Sequence, residues 1–141
     1  MREATIKDTD VVSKMLYNMY NEVQPKLASH DIKKYISLFK EHLKNDFVYI
    51  DKQNRGFFIV RDVTSPVIKR KMYDGVSVYI KPEYRKTRVL KDMYDFMFKT
   101  FDGTIIGYTD INSEHNKVLQ KRHETLGFIY KLNRPEKDKA W

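Results

Sequence analysis

The chain has 141 residues, of which 41% are hydrophobic and 33% charged, and this balance is typical of one folded domain with an ordinary core. It contains no cysteine, which excludes disulfide bonds and thiolate metal sites, and its apolar runs are too short to cross a membrane. The formal net charge of +8 favours polyanionic partners, such as nucleic acid, an acidic protein or a polyphosphate cofactor, and it equally fits a basic surface that only aids solubility.

The first part of the chain predicts one short strand followed by two helices. The charged start lacks an apolar signal core, so we expect a cytoplasmic protein. Residues 2–8 fit a short strand with Ala4 and Ile6 on one side. Apolar residues at helical spacing predict a first helix over 11–23, ended by Pro25, and a second over 29–44. Candidates for the N-cap of the first helix are Asp8, Thr9 and Asp10.

The middle of the chain predicts three strands. Residues 46–51 and 57–63 are rich in β-branched and aromatic residues and flank the turn 52–56, so they predict a hairpin. A third strand fits residues 76–80, where apolar and polar side chains alternate.

The last part of the chain predicts helices alternating with strands. A helix fits residues 85–100, a strand 104–111, a helix 113–126 and a final strand 128–132, while the polar tail 133–141 should be loose. The complete order is β-α-α-β-β-β-α-β-α-β, which predicts a layered α/β fold in one domain spanning the whole chain.

The strand–turn–helix segment "VSVYIKPEYRKTRVLKDMYDFMF", residues 76–98, resembles the phosphate-binding segment of the GNAT superfamily of acyl-CoA-dependent N-acetyltransferases. In that family the turn has the form Arg/Gln-x-x-Gly-x-Gly/Ala. Arg85 fills the first position, whereas Arg88 and Leu90 stand where glycine or a small residue is expected, and Lys86 replaces a frequent glycine. The resemblance implies a mixed, mostly antiparallel central sheet flanked by about four helices.

The resemblance also implies that acetyl-CoA lies along the strand 76–80, with its diphosphate at the turn. The lost glycines reduce the room for a diphosphate, but helix N-terminal amides and three nearby cations still attract one. Two alternatives remain open: a diphosphate site that relies on charge, and a solvated basic turn on a fold that has lost its cosubstrate. The residues predicted to bind acetyl-CoA are Val78, Tyr79, Ile80, Arg85, Lys86, Thr87, Arg88, Val89, Leu90 and Asn116.

A second motif, "NKVLQKRHETLGF" at residues 116–128, keeps the Asn and Glu-x-x-Gly-Phe pattern of the same family. His123 occupies the place of a tyrosine that, in the family, often protonates the departing thiolate of CoA. Histidine can donate a proton near neutral pH, so the resemblance implies a catalytic role for His123. The alternative is a histidine that only packs or hydrogen-bonds on its helix.

The general base is not evident from the sequence. The strand 76–80 carries no acid, and the carboxylates nearest to it, Asp74 and Glu83, are better explained as surface residues. The four histidines do not form a metal-ligand pattern, so we expect no metal site.

Two functions follow from these residues. The first is an N-acetyltransferase whose acceptor, an unidentified primary amine, would enter from the side of the helices within 11–44; a homodimer is compatible with it. The second is a non-catalytic GNAT-like binding or structural protein, for example a viral one, which the lost glycines and the missing carboxylate favour. The basic segment 67–75, together with residues 85–88, is also compatible with nucleic-acid contact.

Overall fold

The computed structural model of the protein describes residues 1–107. Within that range the strands and α-helices follow one another in the order β-α-α-β-β-β-α-β, as the sequence predicts. The predicted helix 113–126, the strand 128–132 and the tail 133–141 lie outside the described residues. The elements are β1 Arg2–Glu3, α1 Thr9–Val23, α2 Ile32–Asn45, β2 Phe47–Ile50, β3 Gly56–Asp62, β4 Met72–Ile80, α3 Val89–Thr100 and β5 Thr104–Gly107.

The strands form one mixed sheet in the order β1-β2-β3-β4-β5. The pairs from β1 to β4 are antiparallel, whereas β4 and β5 are parallel. A parallel pair requires a crossover connection, and α3 lies in that connection. The predicted α/β class with a mostly antiparallel sheet is therefore confirmed. None of the helices within residues 1–107 is long and apolar enough to cross a membrane.

The helices α1 and α2 cover one face of the sheet. Leu16 of α1 and Phe39 of α2 are fully buried and belong to one apolar cluster with Phe57 and Ile59 of β3. Removing this much apolar surface from water is the main stabilising contribution to such a layer. The amphipathic spacing of the two helices is what allows both to pack on the same face.

The helix α3 covers the other face through aromatic contacts. The ring of Phe96 lies 5.3 Å from that of Tyr49 in β2 and 6.2 Å from that of Phe58 in β3. Phe101, just after α3, contacts the ring of Tyr73 in β4 at 5.1 Å. Alternation along β2 and β3 thus sends neighbouring side chains into two different layers.

A bulge divides β4 into two parts. Opposite β4, Ile59 pairs with Ser77 and Val60 with Gly75, so Val76 is an extra residue on the β4 side. A bulge of this kind reverses the alternation of side chains beyond it. Tyr73 accordingly packs against Phe101 on the α3 face, whereas Tyr79, an even number of residues further on, packs with the α1–α2 cluster.

The first predicted strand is shorter than expected. Ile6, predicted to share a face of that strand, lies in a 3-10 turn over Ile6–Asp8 and is 60% exposed. Asp8 stands at the N-cap of α1, but its carboxylate accepts hydrogen bonds from the Arg2 guanidinium at 2.7 and 2.9 Å and from the Thr5 amide at 2.8 Å. The carboxylate therefore anchors β1 to α1 and does not cap the helix.

Candidate functional site

The three strand residues predicted to bind acetyl-CoA lie at the C-terminal end of β4. Val78, Tyr79 and Ile80 pair with β3 on one side, and the side chains of Tyr79 and Ile80 are buried. Within residues 1–107, β5 pairs with Met72–Gly75 and with no residue beyond Gly75. Burial raises the pKa of the Tyr79 phenol, which keeps it protonated at neutral pH.

The turn after β4 is longer than predicted, and the predicted start of α3 at residue 85 is wrong. A 3-10 turn occupies Pro82–Tyr84, and α3 begins at Val89. Between them, Lys86 has a left-handed backbone with φ of 65°. That conformation costs a residue with a Cβ roughly 1–2 kcal/mol and favours glycine, which is frequent at this position in the family. The turn thus has a backbone suited to glycine, although lysine occupies this position.

The N-terminal amides of α3 are partly occupied by the turn itself. The amide of Val89 donates to Oγ1 of Thr87 at 3.3 Å, and the Thr87 hydroxyl donates to the carbonyl of Tyr84. The amides of Leu90 and Lys91 have no acceptor within the helix, because helical bonding begins with the amide of Asp92 donating to Arg88 O. Two of the amides that could receive a diphosphate therefore remain at this end.

The Arg85 side chain points back toward α1 rather than along the turn. Its Nη1 and Nη2 donate to the two carboxylate oxygens of Glu22, the second at 2.8 Å, and its Nε donates to the carbonyl of Ile80 at 3.0 Å. The guanidinium also lies 5.6 Å from the centre of the Tyr79 ring. The hydrogen bond from Arg85 outweighs desolvation and lowers the pKa of Glu22, so this carboxylate is ionised at neutral pH.

The other two cations of the turn face solvent. Lys86 is exposed, and the side chain of Arg88 is 78% exposed, with its guanidinium 4.0 Å from the Asp92 carboxylate. An exposed pair at that distance contributes little to stability, so Arg88 can turn to another anion at low cost. Of the three cations predicted to bind phosphate, Lys86 and Arg88 are therefore exposed at the turn, whereas the Arg85 side chain is hydrogen-bonded to Glu22 of α1.

The remaining predicted site residues differ in what the structure says of them. Asn116 and His123 lie outside the described residues. Asp74 is half-buried within β4, where it pairs with Arg61 of β3 and Ile106 of β5. Glu83 is exposed in the 3-10 turn. Among residues 1–107, no group of three or more histidines and carboxylates could hold a metal ion.

A cavity of about 340 Å³ lies between the β2–β3 turn and the start of α3. Asp51 and Arg55 line it from the turn, and Val89, Met93 and Phe96 line it from the helix. The Asp51 carboxylate accepts bonds from the Arg55 side chain at 2.8 and 3.0 Å. These bonds are the main reason that its pKa falls to about 2. Because this carboxylate is already satisfied, it holds the turn together rather than offering itself to a ligand.

No family model and no curated protein sequence matches the chain. Solved structures do match it. A possible acetyltransferase from Clostridium difficile 630 is 18% identical with a TM-score of 0.71, and the alignment covers 96% of this chain and 97% of that one. The ribosomal-protein-alanine N-acetyltransferase from Brucella melitensis biovar Abortus 2308 is 13% identical with a TM-score of 0.72, over 94% and 95% of the two chains.

A third structural neighbour, AAC(6')-Iy, was solved in complex with the bisubstrate analogue CoA-S-monomethyl-acetylneamine. It is 12% identical to this chain with a TM-score of 0.68, over 95% of this chain and 96% of that one. The chain therefore has the fold of the GNAT superfamily, as its two motifs predict. At this level of identity the likeness establishes the fold and leaves the activity to be argued from the site.

Proposed function

We propose that the protein is an N-acetyltransferase that transfers the acetyl group of acetyl-CoA to a primary amine of an acceptor still to be identified. The observation that carries the proposal is the turn between β4 and α3. It carries two solvent-facing cations, Arg88 and the left-handed Lys86, and the open amides of Leu90 and Lys91 follow them in the chain. Helix N-terminal amides and cations together favour a phosphate group.

The described residues fit acetyl-CoA as a substrate in two ways. The turn 85–90 supplies amides and positive charge for the diphosphate, and the backbone of Val78 to Ile80 can hydrogen-bond the amide-containing pantetheine arm. A structural neighbour that carries a CoA-containing analogue supports the same choice of substrate. A diphosphate held mainly by side-chain charge would bind with a strong dependence on salt.

The reaction would be a direct transfer. The nitrogen of the neutral acceptor amine attacks the carbonyl carbon of the thioester, and a backbone N–H stabilises the oxyanion that forms. The C–S bond then breaks, the amine nitrogen loses a proton to solvent, and His123 donates a proton to the departing thiolate and regains one from solvent. The products are an N-acetylated acceptor and CoA with a free thiol.

Melting curves with acetyl-CoA test the binding step. Ligand at a hundredfold its dissociation constant adds about 2.7 kcal/mol to the free energy of unfolding, which raises the melting temperature. A panel of amine acceptors with release of the CoA thiol as the readout tests the transfer. His123→Ala should lower turnover far more than acetyl-CoA affinity, and unchanged turnover would remove His123 from the mechanism.

One observation favours a second function, that of a non-catalytic binding or structural protein. Arg85, which holds the family's phosphate-turn arginine position, is neutralised by Glu22. A turn with three lost glycines and an arginine turned away is what a fold without its cosubstrate would retain. The absence of any melting shift at millimolar acetyl-CoA would favour this function over the transferase.

A further inference from the structure

Arg85 connects two parts of the molecule that are distant in sequence. Its guanidinium binds Glu22 in the last turn of α1, across 63 residues of chain, while its backbone belongs to the turn that leads into α3. The turn is the proposed diphosphate site, and α1 belongs to the side from which an acceptor is expected. The ion pair therefore joins the proposed cosubstrate side to the proposed acceptor side.

Glu22 lies in the last turn of α1, and the C-terminal end of a helix attracts cations. The C-terminal end of a helix carries a partial negative charge, and the last turn of α1 contains no basic residue of its own. A carboxylate at that end adds to the negative potential. Arg85 supplies the positive charge that the last turn of α1 lacks. Val23, the residue after Glu22, has an exposed apolar side chain.

The Glu22–Arg85 pair is open to exchange. The side chains of Arg85 and Glu22 are 39% and 45% exposed, and ion pairs with that much solvent contact contribute only about 0–1 kcal/mol. A diphosphate carries more negative charge than one carboxylate and accepts bidentate bonds from guanidinium. Arg85 can therefore leave Glu22 for a diphosphate at small cost.

We propose that Arg85 is shared between Glu22 and the diphosphate, and that Glu22, once released, binds a cationic group of the acceptor. This inference rests on the proposed function and deepens it. In the free protein the guanidinium occupies the place of the acceptor's positive charge. Binding of acetyl-CoA frees that place, so the two substrates assist each other, and the acceptor class is a molecule with a positive charge besides the reacting amine.

Calorimetric titration of CoA into Glu22→Gln tests the exchange. The substitution removes the competitor for Arg85, so CoA should bind about two- to fivefold more tightly, which corresponds to the value of an exposed pair. Asp10→Asn, an exposed acid lost from the same helix, is the control for the general gain of positive charge. In the Arg85→Gln background, Glu22→Gln should no longer increase the affinity for CoA. An effect no larger than that of Asp10→Asn, or weaker CoA binding, would overturn the exchange.

A cation probe tests the acceptor half without CoA. Spermidine titrated into Arg85→Gln, where Glu22 has lost its partner, should bind at least threefold more tightly than into the Glu22→Gln/Arg85→Gln double variant, as measured by melting curves. Equal binding would overturn the acceptor role of Glu22. Failure of the proposed function looks different, since then neither the wild type nor Glu22→Gln would bind CoA at millimolar concentration.

Discussion

Replacing Lys86 by glycine should stabilise the protein relative to replacing it by alanine. Both changes remove the same side chain and charge, so their difference isolates the backbone conformation at φ of 65°. The left-handed conformation costs alanine roughly 1–2 kcal/mol, and glycine offsets roughly 0.5–1 kcal/mol of this advantage by losing more backbone entropy on folding. We therefore expect Lys86→Gly to unfold with a free energy about 0.5–1 kcal/mol above that of Lys86→Ala.

Unfolding in urea, monitored by far-UV circular dichroism, measures this difference. If the free energy of unfolding depends on urea concentration with the same slope in both variants, the difference is given by the shift of the urea midpoint. Lys40 supplies a matched control, because it is exposed in the interior of α2. There the same pair of substitutions should have the opposite sign, with glycine about 1 kcal/mol less stable than alanine. Equal stability of the two variants at position 86, or greater stability of the alanine variant, would show that the turn does not hold a left-handed residue.

Three further substitutions should change the stability of the protein by amounts that follow from the structure. Gly56→Ala would place a Cβ 2.4 Å from the carbonyl oxygen of Tyr79, so the free energy of unfolding should fall by about 2–3 kcal/mol in urea titrations, and a loss under 0.5 kcal/mol would contradict the packing. The pKa of Asp51 is about 2, below its usual 3.8, so its ionised carboxylate adds about 2 kcal/mol to the free energy of unfolding above pH 4, and this contribution is lost as the pH falls through 2. Asp51→Asn should therefore flatten the dependence of the free energy of unfolding on pH in this range. An unchanged dependence would refute the assignment. Phe39→Ala should cost about 3–5 kcal/mol, measured in the same way, because Phe39 is fully buried.

The order of elements could be predicted from the sequence because it depends on local patterns. The helical spacing in 11–23 and the hairpin around 52–56 both appear in the structure with small shifts of their ends. The predicted strand 76–80, in contrast, is β4 from Met72 to Ile80. Asp74 and Gly75 favour a turn locally, but pairing with β3 on one side and β5 on the other holds them in the strand.

The candidate site was predictable in position and not in detail. The motif predicted a turn between β4 and α3, since strand, turn and helix are contiguous in sequence, but it placed the start of α3 four residues too early. It could not place the Arg85 side chain, because its partner Glu22 is remote in the chain and lies on an otherwise ordinary helix. The left-handed conformation of Lys86 was equally hidden, because lysine gives no local signal for it. Long-range contacts and strained backbone are the features that local patterns leave out.

The extra residue at Val76 also affects how β4 tolerates changes in length. Tyr73 and Tyr79 are buried on opposite faces only because this residue offsets them. Deletion of Val76 would leave Tyr73 and Tyr79 five positions apart in a regular pleat, and because five is an odd number both rings would keep their layers. A relative of this protein whose β4 is one residue shorter at the bulge should therefore keep both tyrosines, without any compensating insertion in the strand.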